Sequence, residues 1–408
     1  MKGHFYKPRC KCPKGQKCKC GATWSYILDV GTDPRTGKRK QKKKGGFKTK
    51  QEAQEAAAIV IAELAQGTFI QEKKITFEDF SQEWLKGYLS TGKVKISTGR
   101  VRRQEINLLN PYLAKLKMPE ITKKQYQDTL NALKEKGYSD NSINGAHCTG
   151  RMIFRRAVEL GVIKGNPTDY AIIPKTQVTV EELEQGNEVP KYMEKEELAR
   201  FLETAKNFGL ERDYPIFLTL AYTGMRAGEL CALKWQDIDF HDSTISITKT
   251  YYNPRSSLSE YTLLTPKTKR SKRVIEVEEI VLEELERLRS KQEEFKEKRK
   301  KENKPYHDKG FVFAHINDKN AGYPPYQRLL GKRMARLLKL AKLNANLTPH
   351  SLRHTHTSLL AEAGVSLEQI MQRLGHSKDD TTRNIYLHVT KPKKKEASQK
   401  FGELMRSF

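Results

Sequence analysis

From Thr76 to Pro167 the chain keeps to one pattern, with apolar residues at helical spacing and Ser, Thr, Gly or Pro at the breaks. "TFEDFSQEWLKGYL" opens with a Thr cap, "STGRVRRQEINLLNPYL", "TKKQYQDTLNALKEKG" and "SDNSINGAHCTGRMIFRRAVELG" follow, and "KGNP" closes the series. Four successive helices confine this stretch to an all-α bundle. The residues before it read differently. Trp24, Tyr26, Leu28 and Val30 alternate, "DPRTG" is a turn, and a basic segment follows, so a small antiparallel sheet with one very basic strand is expected. In "TKQEAQEAAAIVIAELAQG" the apolar positions 53, 56, 57, 60 and 64 predict a helix on that sheet, with Thr49 and Glu52 as a capping box and Gly67 as the stop. After the bundle, "TQVTVEELEQGNEVPKYM" reads as a linker. From about residue 190 helices mix with the strand-like runs "TISITKTYY", "YTLLTP" and "RVIEVE". The lysine-rich "KQEEFKEKRKKENK" reads as a solvated helix face.

At 408 residues the chain has room for two or three cores. Lys and Arg number 76 against 49 Asp and Glu, for a net charge of +27, and 16 of those cations fall in the first 50 residues beside only Asp29 and Asp33. Such an excess calls for a polyanionic partner, with nucleic acid foremost. No run approaches the ~18 apolar residues of a membrane span, and "MKGHFYKPRCKC" lacks an apolar signal core, so a cytosolic protein with no membrane partner is expected. Cys148 and Cys231 stand alone in apparent helices and are expected to pack as small apolar groups. Cys10, Cys12, Cys18 and Cys20 leave two readings open: a closed zinc site of four thiolates, or reduced surface cysteines.

"TPHSLRHTHTSLL" predicts a helix from about Pro349, with His350 and Arg353 on one face near its N-terminus, where free N–H groups and the dipole suit a phosphate. His350 and His354 have metal-ligand spacing, but "HSLRH" has serine where a metalloprotease has its glutamate, and no metal or cofactor is assigned. His354 and His356 fall elsewhere on the helix and suit structural roles. "LAYTGMRAGELCALKWQDID" puts Arg226 between two helices after a Thr-Gly break, either near unpaired amides or paired with Glu229. "LLTPKTKRSKRVIEV" reads as a basic hairpin carrying Lys267, Lys269, Arg270, Lys272 and Arg273, as a solvated turn or as a finger for a DNA groove. "IMQRLGHSKDDTTRNIYLHVT" carries His376 and Tyr386. Phenol, with a pKa of ~10, is a poor nucleophile unless cations and a proton acceptor favour its anion. Phosphodiester exchange needs what these segments contain: arginine forks for non-bridging oxygens, a lysine proton for the leaving oxygen and a histidine to take the phenol's proton.

Together, "TGMRAGEL", "PKTKRSKR", "HSLRHTHTSLL", "LGHS" and "YLHV" resemble, in order and approximate spacing, the tyrosine recombinase family, especially phage and conjugative-transposon integrases. The resemblance implies a multidomain fold: an arm-binding domain over 1–67 (three-stranded sheet plus helix), an all-α, SAM-like core-binding domain over 74–175, and a mainly α catalytic domain with a small antiparallel sheet over 188–408. It implies phosphate-binding roles for Arg226 and Arg353, general acid for Lys267 (with Lys269 as rival), proton transfer for His350, a phosphate contact for His376, and the nucleophile for Tyr386. DNA contacts are expected from Arg35, Lys38, Arg39, Lys40, Lys42, Lys43 and Lys44 in the arm domain. In the bundle they are expected from Arg100, Arg102, Arg103, Arg151 and Arg155. The implied partners are double-stranded attachment sites of core and arm type, a homotetramer on two duplexes, and excisionase or DNA-bending proteins, in a bacterial cytoplasm at the nucleoid. The implied reaction integrates or excises a mobile element through a 3′-phosphotyrosine. The alternatives are a type IB topoisomerase-like relaxing enzyme and a catalytically silent DNA-binding regulator.

Overall fold

The computed structural model describes residues 3–8, 10–12, 20–32, 37–66, 75–176, 192–266, 271–375, 380–389 and 405–406. It divides into two units, Met1–Glu184 and Gln185–Phe408.

The first unit opens with β1 (His4–Tyr6), β2 (Trp24–Thr32) and β3 (Arg39–Phe47), an antiparallel sheet in that order. Tyr26 and Leu28 are buried, but Trp24 and Val30 are only half-buried, because the register shifts at Trp24/Ser25 and again between Asp29 and Gly31. α1 (Lys50–Ala65) sets Ala53, Ala57 and Val60 against the sheet. Its cap is half of the one expected. Thr49 accepts from the Glu52 amide at 3.1 Å, yet the Glu52 carboxylate accepts from Lys48 N rather than from Thr49. Gly67 lies outside the described residues.

α2 (Phe77–Ser90), α3 (Ile96–Leu113), α4 (Lys123–Glu135) and α5 (Asp140–Glu159) form the helical bundle. Thr76, Thr122 and Ser139 cap three of them, with a full capping box between Thr122 and Gln125. Their shared core stacks Phe77 on Phe154 at 5.6 Å, and Tyr126 meets Phe154 edge-on at 5.7 Å. A Cβ at Gly150 would fall 2.4 Å from the Tyr126 hydroxyl, so only glycine fits there. Cys148 corrects an expectation. Helical periodicity turns Ala146, His147, Gly150, Ile153 and Phe154 inward, which leaves Cys148 exposed.

The second unit contains α6 (Lys195–Phe208), α7 (Asp213–Thr223), α8 (Ala227–Ala232), α9 (Glu279–Lys301), α10 (Gln327–Leu340), α11 (Pro349–Glu362), α12 (Leu367–Leu374) and α13 (Asp380–Val389). Its strands are β4 (Ile238–Asp239), β5 (Thr244–Ile247), β6 (Thr250–Tyr252), β7 (Thr262–Leu264) and β8 (Arg273–Glu276). α7 is apolar on nearly every face and sits in the core, where Phe217 meets Phe201 of α6 at 5.3 Å. Cys231 is buried, as expected. The strands make two small sheets, β4-β5-β8 and β6-β7. The expected basic hairpin is therefore corrected: β7 pairs with β6 and β8 with β5, so the segment between them joins two sheets. Residues 267–270 of that segment lie outside the described residues. α9 buries Val281, Leu282, Leu285 and Leu288 in its first half; from residue 291 on it is mostly solvated as expected, except that Gln292 and Arg299 are buried, accepting from Trp235 Nε1 and pairing with Asp318. Among the described residues no helix is long and apolar enough to cross a membrane. The chain thus combines a small α+β module, an all-α bundle and a mainly α domain with small antiparallel sheets.

Phe154→Ala should lower stability by about 3–5 kcal/mol, because it empties the centre of the bundle core. Denaturant unfolding of the wild-type and variant chains measures this.

Candidate active site

α7 ends at Gly224, which is left-handed at φ 60°. A Cβ there would lie 2.6 Å from His356 Cδ2 and 2.8 Å from Leu374 Cδ2, so both the turn and the packing require glycine. Two residues later Arg226 precedes α8. Its amide donates to Glu229 Oε2 and its Nη1 to Glu229 Oε1, each at 2.9 Å. The other side of this buried carboxylate takes Arg273 Nη2 at 2.9 Å, and Arg273 Nε donates to the Arg373 carbonyl at 2.8 Å. Burial pushes the Glu229 carboxyl up, but the hydrogen bonds and charge of Arg273, with those of Arg226, outweigh it and hold the group below its ordinary value. Arg273 was expected among the cations of a basic turn. Its side chain is 6% exposed and belongs to this buried network instead.

α11 starts at Pro349, as expected, and points Arg353 inward one turn later. Arg353 is 2% exposed. Its Nη1 donates to the Gly224 carbonyl at 2.7 Å and its Nη2 to the Leu374 carbonyl at 2.6 Å. One guanidinium thus joins the "TGMR" turn, the "HSLRH" helix and the "RLGHS" segment. One turn further along α11, His356 repeats the arrangement with its ring. Nε2 accepts from Arg373 Nε at 3.1 Å, which assigns the proton to Nδ1, 2.9 Å from the Ala221 carbonyl. Burial, then the charges of Arg373 and Arg353, push His356 down to about 3, so the ring is neutral. Arg373 also donates to the carbonyls of Tyr222 and Glu276. Thr355 accepts from Met193 N at 2.9 Å, tying the residues just before α6 to α11.

Four of the six candidate catalytic residues lie among those described: Arg226, His350, Arg353 and Tyr386. Lys267, its rival Lys269, and His376 lie outside. Arg353 holds the Gly224 carbonyl, two residues before Arg226, and the Leu374 carbonyl, two residues before His376. His350 is exposed at the start of α11, with its ring 4.7 Å from that of His354 and perpendicular to it. Tyr386 is half-buried on α13, which packs on α11 and α12; it packs against the small core cluster of Ala361, Ile370 and Leu374.

The expected DNA-contact residues divide. Lys38, Arg39, Lys43 and Lys44 are exposed, Lys40 and Lys42 half-buried, and Arg35 lies outside the described residues. Arg39 pairs with Asp29 at 2.6 Å. In the bundle Arg100, Arg103, Arg151 and Arg155 are exposed. Arg102 differs. It donates to Glu105 at 2.8 Å and Thr149 at 2.9 Å and is a half-buried tie between α3 and α5. Arg373 and the buried role of Arg273 were not anticipated, and nothing in their spacing separates them from surface cations.

A helical domain in which one buried arginine clamps the glycine turn just before another, with a tyrosine on its last described long helix, has the makings of a tyrosine recombinase catalytic domain. Comparison with known proteins establishes the class. Residues 191–393 match the phage integrase family, 16–64 an arm DNA-binding domain, and 76–134 the N-terminal SAM-like domain of phage integrases. The chain belongs to the phage integrase family and is a tyrosine recombinase, an enzyme that cleaves and rejoins DNA strands. It is 29% identical to the integrase of Staphylococcus phage L54a over 82% of this chain and 94% of that one. It is 27% identical to the ICEBs1 integrase of Bacillus subtilis (strain 168) over 93% and 97%. The Tn1549 transposon integrase in complex with transposon right end DNA superposes with a TM-score of 0.60 at 25% identity, covering 76% of this chain and 95% of that one. A lambda integrase tetramer bound to a Holliday junction has the same fold, with a TM-score of 0.55 at 18% identity over 88% and 91%.

The neutral ring of His356 makes the site sensitive to acid. The unfolded imidazole binds a proton below about pH 6.5 and the folded one does not. Its contribution is therefore complete above that value and lost as pH falls towards 3. Between pH 7 and pH 5 the wild type should lose up to roughly 2 kcal/mol more stability than His356→Gln. Buried His315, also pushed down to about 3, drifts alike in both proteins, so the difference between their denaturation curves isolates His356.

Proposed function

We propose that the chain is the integrase of a bacterial mobile element, which integrates or excises that element at specific attachment sites through a 3′-phosphotyrosine on Tyr386. The observation that carries the reading is the Arg353 fork, which ties the Arg226 turn to the segment leading to His376. In the reaction the Tyr386 oxygen attacks the scissile phosphorus as its proton leaves, with His350 assisting that transfer. The bond to the 5′ oxygen breaks, and Lys267 or its rival Lys269 protonates that oxygen. Arg226 and Arg353 donate to the non-bridging oxygens, and His376 contacts the phosphate. The phosphotyrosine conserves the bond for rejoining, so no cofactor enters these steps.

The same reading divides the chain into an arm-binding domain (1–67), a core-binding domain (74–175) and a catalytic domain (188–408). The matched segments at 16–64, 76–134 and 191–393 support the division. The exposed cations of β3 and of α3 and α5 would then meet phosphates. Four protomers would act on two duplexes, as the solved lambda tetramer on a Holliday junction suggests by analogy. Excisionase or bending proteins would assist, in the cytoplasm at the nucleoid. A type IB topoisomerase-like activity would instead relax supercoiled DNA lacking any attachment site, and a silent regulator would form no adduct.

A nicked suicide substrate should trap a covalent adduct, with the modified residue identified as Tyr386 by mass spectrometry. Tyr386→Phe should abolish the adduct and leave DNA binding largely intact; Arg226→Ala or Arg353→Ala should cut cleavage by about 10²–10³. An adduct persisting in Tyr386→Phe would overturn the assignment. Affinity should fall linearly on a log–log plot against salt, and removing residues 1–67 should weaken arm-site binding while sparing core-site cleavage. Fluorescence anisotropy across a salt series tests the first, and core cleavage by the truncated chain the second.

A further inference from the structure

We propose that Cys10, Cys12 and Cys20 are thiolate ligands of a structural zinc ion that closes the connection between β1 and β2. Their sulfurs all lie within 4.8 Å of one another, and Cys10 Sγ is 3.6 Å from Cys20 Sγ. A tetrahedral zinc with Zn–S bonds near 2.3 Å has S–S edges of about 3.8 Å, so this spacing matches ligands around one ion. It is far from the roughly 2.05 Å of a disulfide. Among the described residues this is the grouping of three or more His, Cys, Asp or Glu side chains with ligand spacing. The sequence carries a fourth cysteine, Cys18, outside the described residues.

The local fold supplies a reason for such a staple. The sheet and α1 share a core cluster of four buried side chains, Tyr26, Leu28, Ala57 and Val60. A core this small rarely sustains a module alone, and a structural metal is one of the usual remedies. The connection from Lys7 to Thr23 is long for two neighbouring antiparallel strands, and its described ends draw together at the three sulfurs. Gly21, left-handed at φ 68°, follows Cys20 directly and turns the chain into β2. Zinc would exchange an open loop for a closed one and add its binding free energy to folding.

Elemental analysis of the full chain, purified under reducing conditions without chelators, tests the site, and because it needs no DNA it is independent of the recombination reading. About one zinc per chain is expected. Cys10→Ser, Cys12→Ser and Cys20→Ser should each lower zinc retention by at least ~tenfold, while Cys148→Ser, which alters an exposed cysteine elsewhere, should retain it. Should a serine variant fail to fold, Co²⁺ titration of the metal-stripped wild type reads the same chemistry through a thiolate-to-metal charge-transfer band. Retention of the full equivalent by the three serine variants, a disulfide among these cysteines in the reduced preparation, or a wild type with neither zinc nor the cobalt band would overturn the proposal.

Discussion

Everything around the candidate site depends on the burial of the Arg353 guanidinium. A charge at 2% exposure is tolerated only where hydrogen bonds replace its water, and two of its donors end on the backbone carbonyls of Gly224 and Leu374. Lysine would keep the charge and lose the geometry, since one ammonium cannot reproduce a planar fork reaching two carbonyls in different segments. Truncation would leave both carbonyls without this donor and release two turns at once. The carbonyls also hold the fork in place before any substrate arrives. In the proposed reaction this preorganisation matters, because donors already oriented need no rearrangement as charge develops on the phosphate.

A second layer of interactions keeps the centre cationic. Arg226 and Arg273 pair with one buried carboxylate, Glu229, while Arg373 and Arg353 face one neutral imidazole, His356. Glu229 braces Arg226 against Arg273 rather than cancelling the cluster, since one negative charge faces two guanidinium groups. His356 stays uncharged because its ring is buried and faces the charges of Arg373 and Arg353. In the proposed reaction, such an excess of fixed positive charge would suit a phosphodiester in its transition state better than a neutral ligand. Gly224 is the steric condition for the whole arrangement, since any side chain on it would displace the His356 ring or Leu374.

Much of this was legible in the residues. Helix starts at Thr76, Thr122 and Pro349 could be read because capping and proline placement are local chemistry, decided within a turn. The motifs around Arg226, Arg353 and Tyr386 could be read because order and spacing survive without knowledge of the fold. What stayed hidden depends on pairing across the chain. Arg273 looks like its neighbours in "KTKRSKR", and only the pairing of β8 with β5 turns it towards Glu229. Arg373 lies in an ordinary amphipathic run, and its partners come from positions 222, 276 and 356. The supposed hairpin failed for the same reason: adjacency in sequence suggested that β7 and β8 pair, whereas each found a better partner elsewhere. Cys148 was a failure of another kind, since being in a helix does not say which face a residue occupies.

The amino-terminal module shows how function can oppose stability within one small fold. β3 reads "RKQKKKGGF" and carries its cations on an edge strand, where like charges repel along the strand and discourage pairing with another chain. Asp29 pairs with Arg39, but a single exposed ion pair of this kind contributes only about 0–1 kcal/mol. The adjoining core is too small to offset much repulsion by burial alone. Such a sheet is most stable where a polyanion neutralises β3 or where a covalent or metal link restrains the opposite side. β2 lies between β3, the cationic edge strand, and β1, which leads into the cysteines, so a link at the end of β1 and a polyanion on β3 would both act on the shared strand.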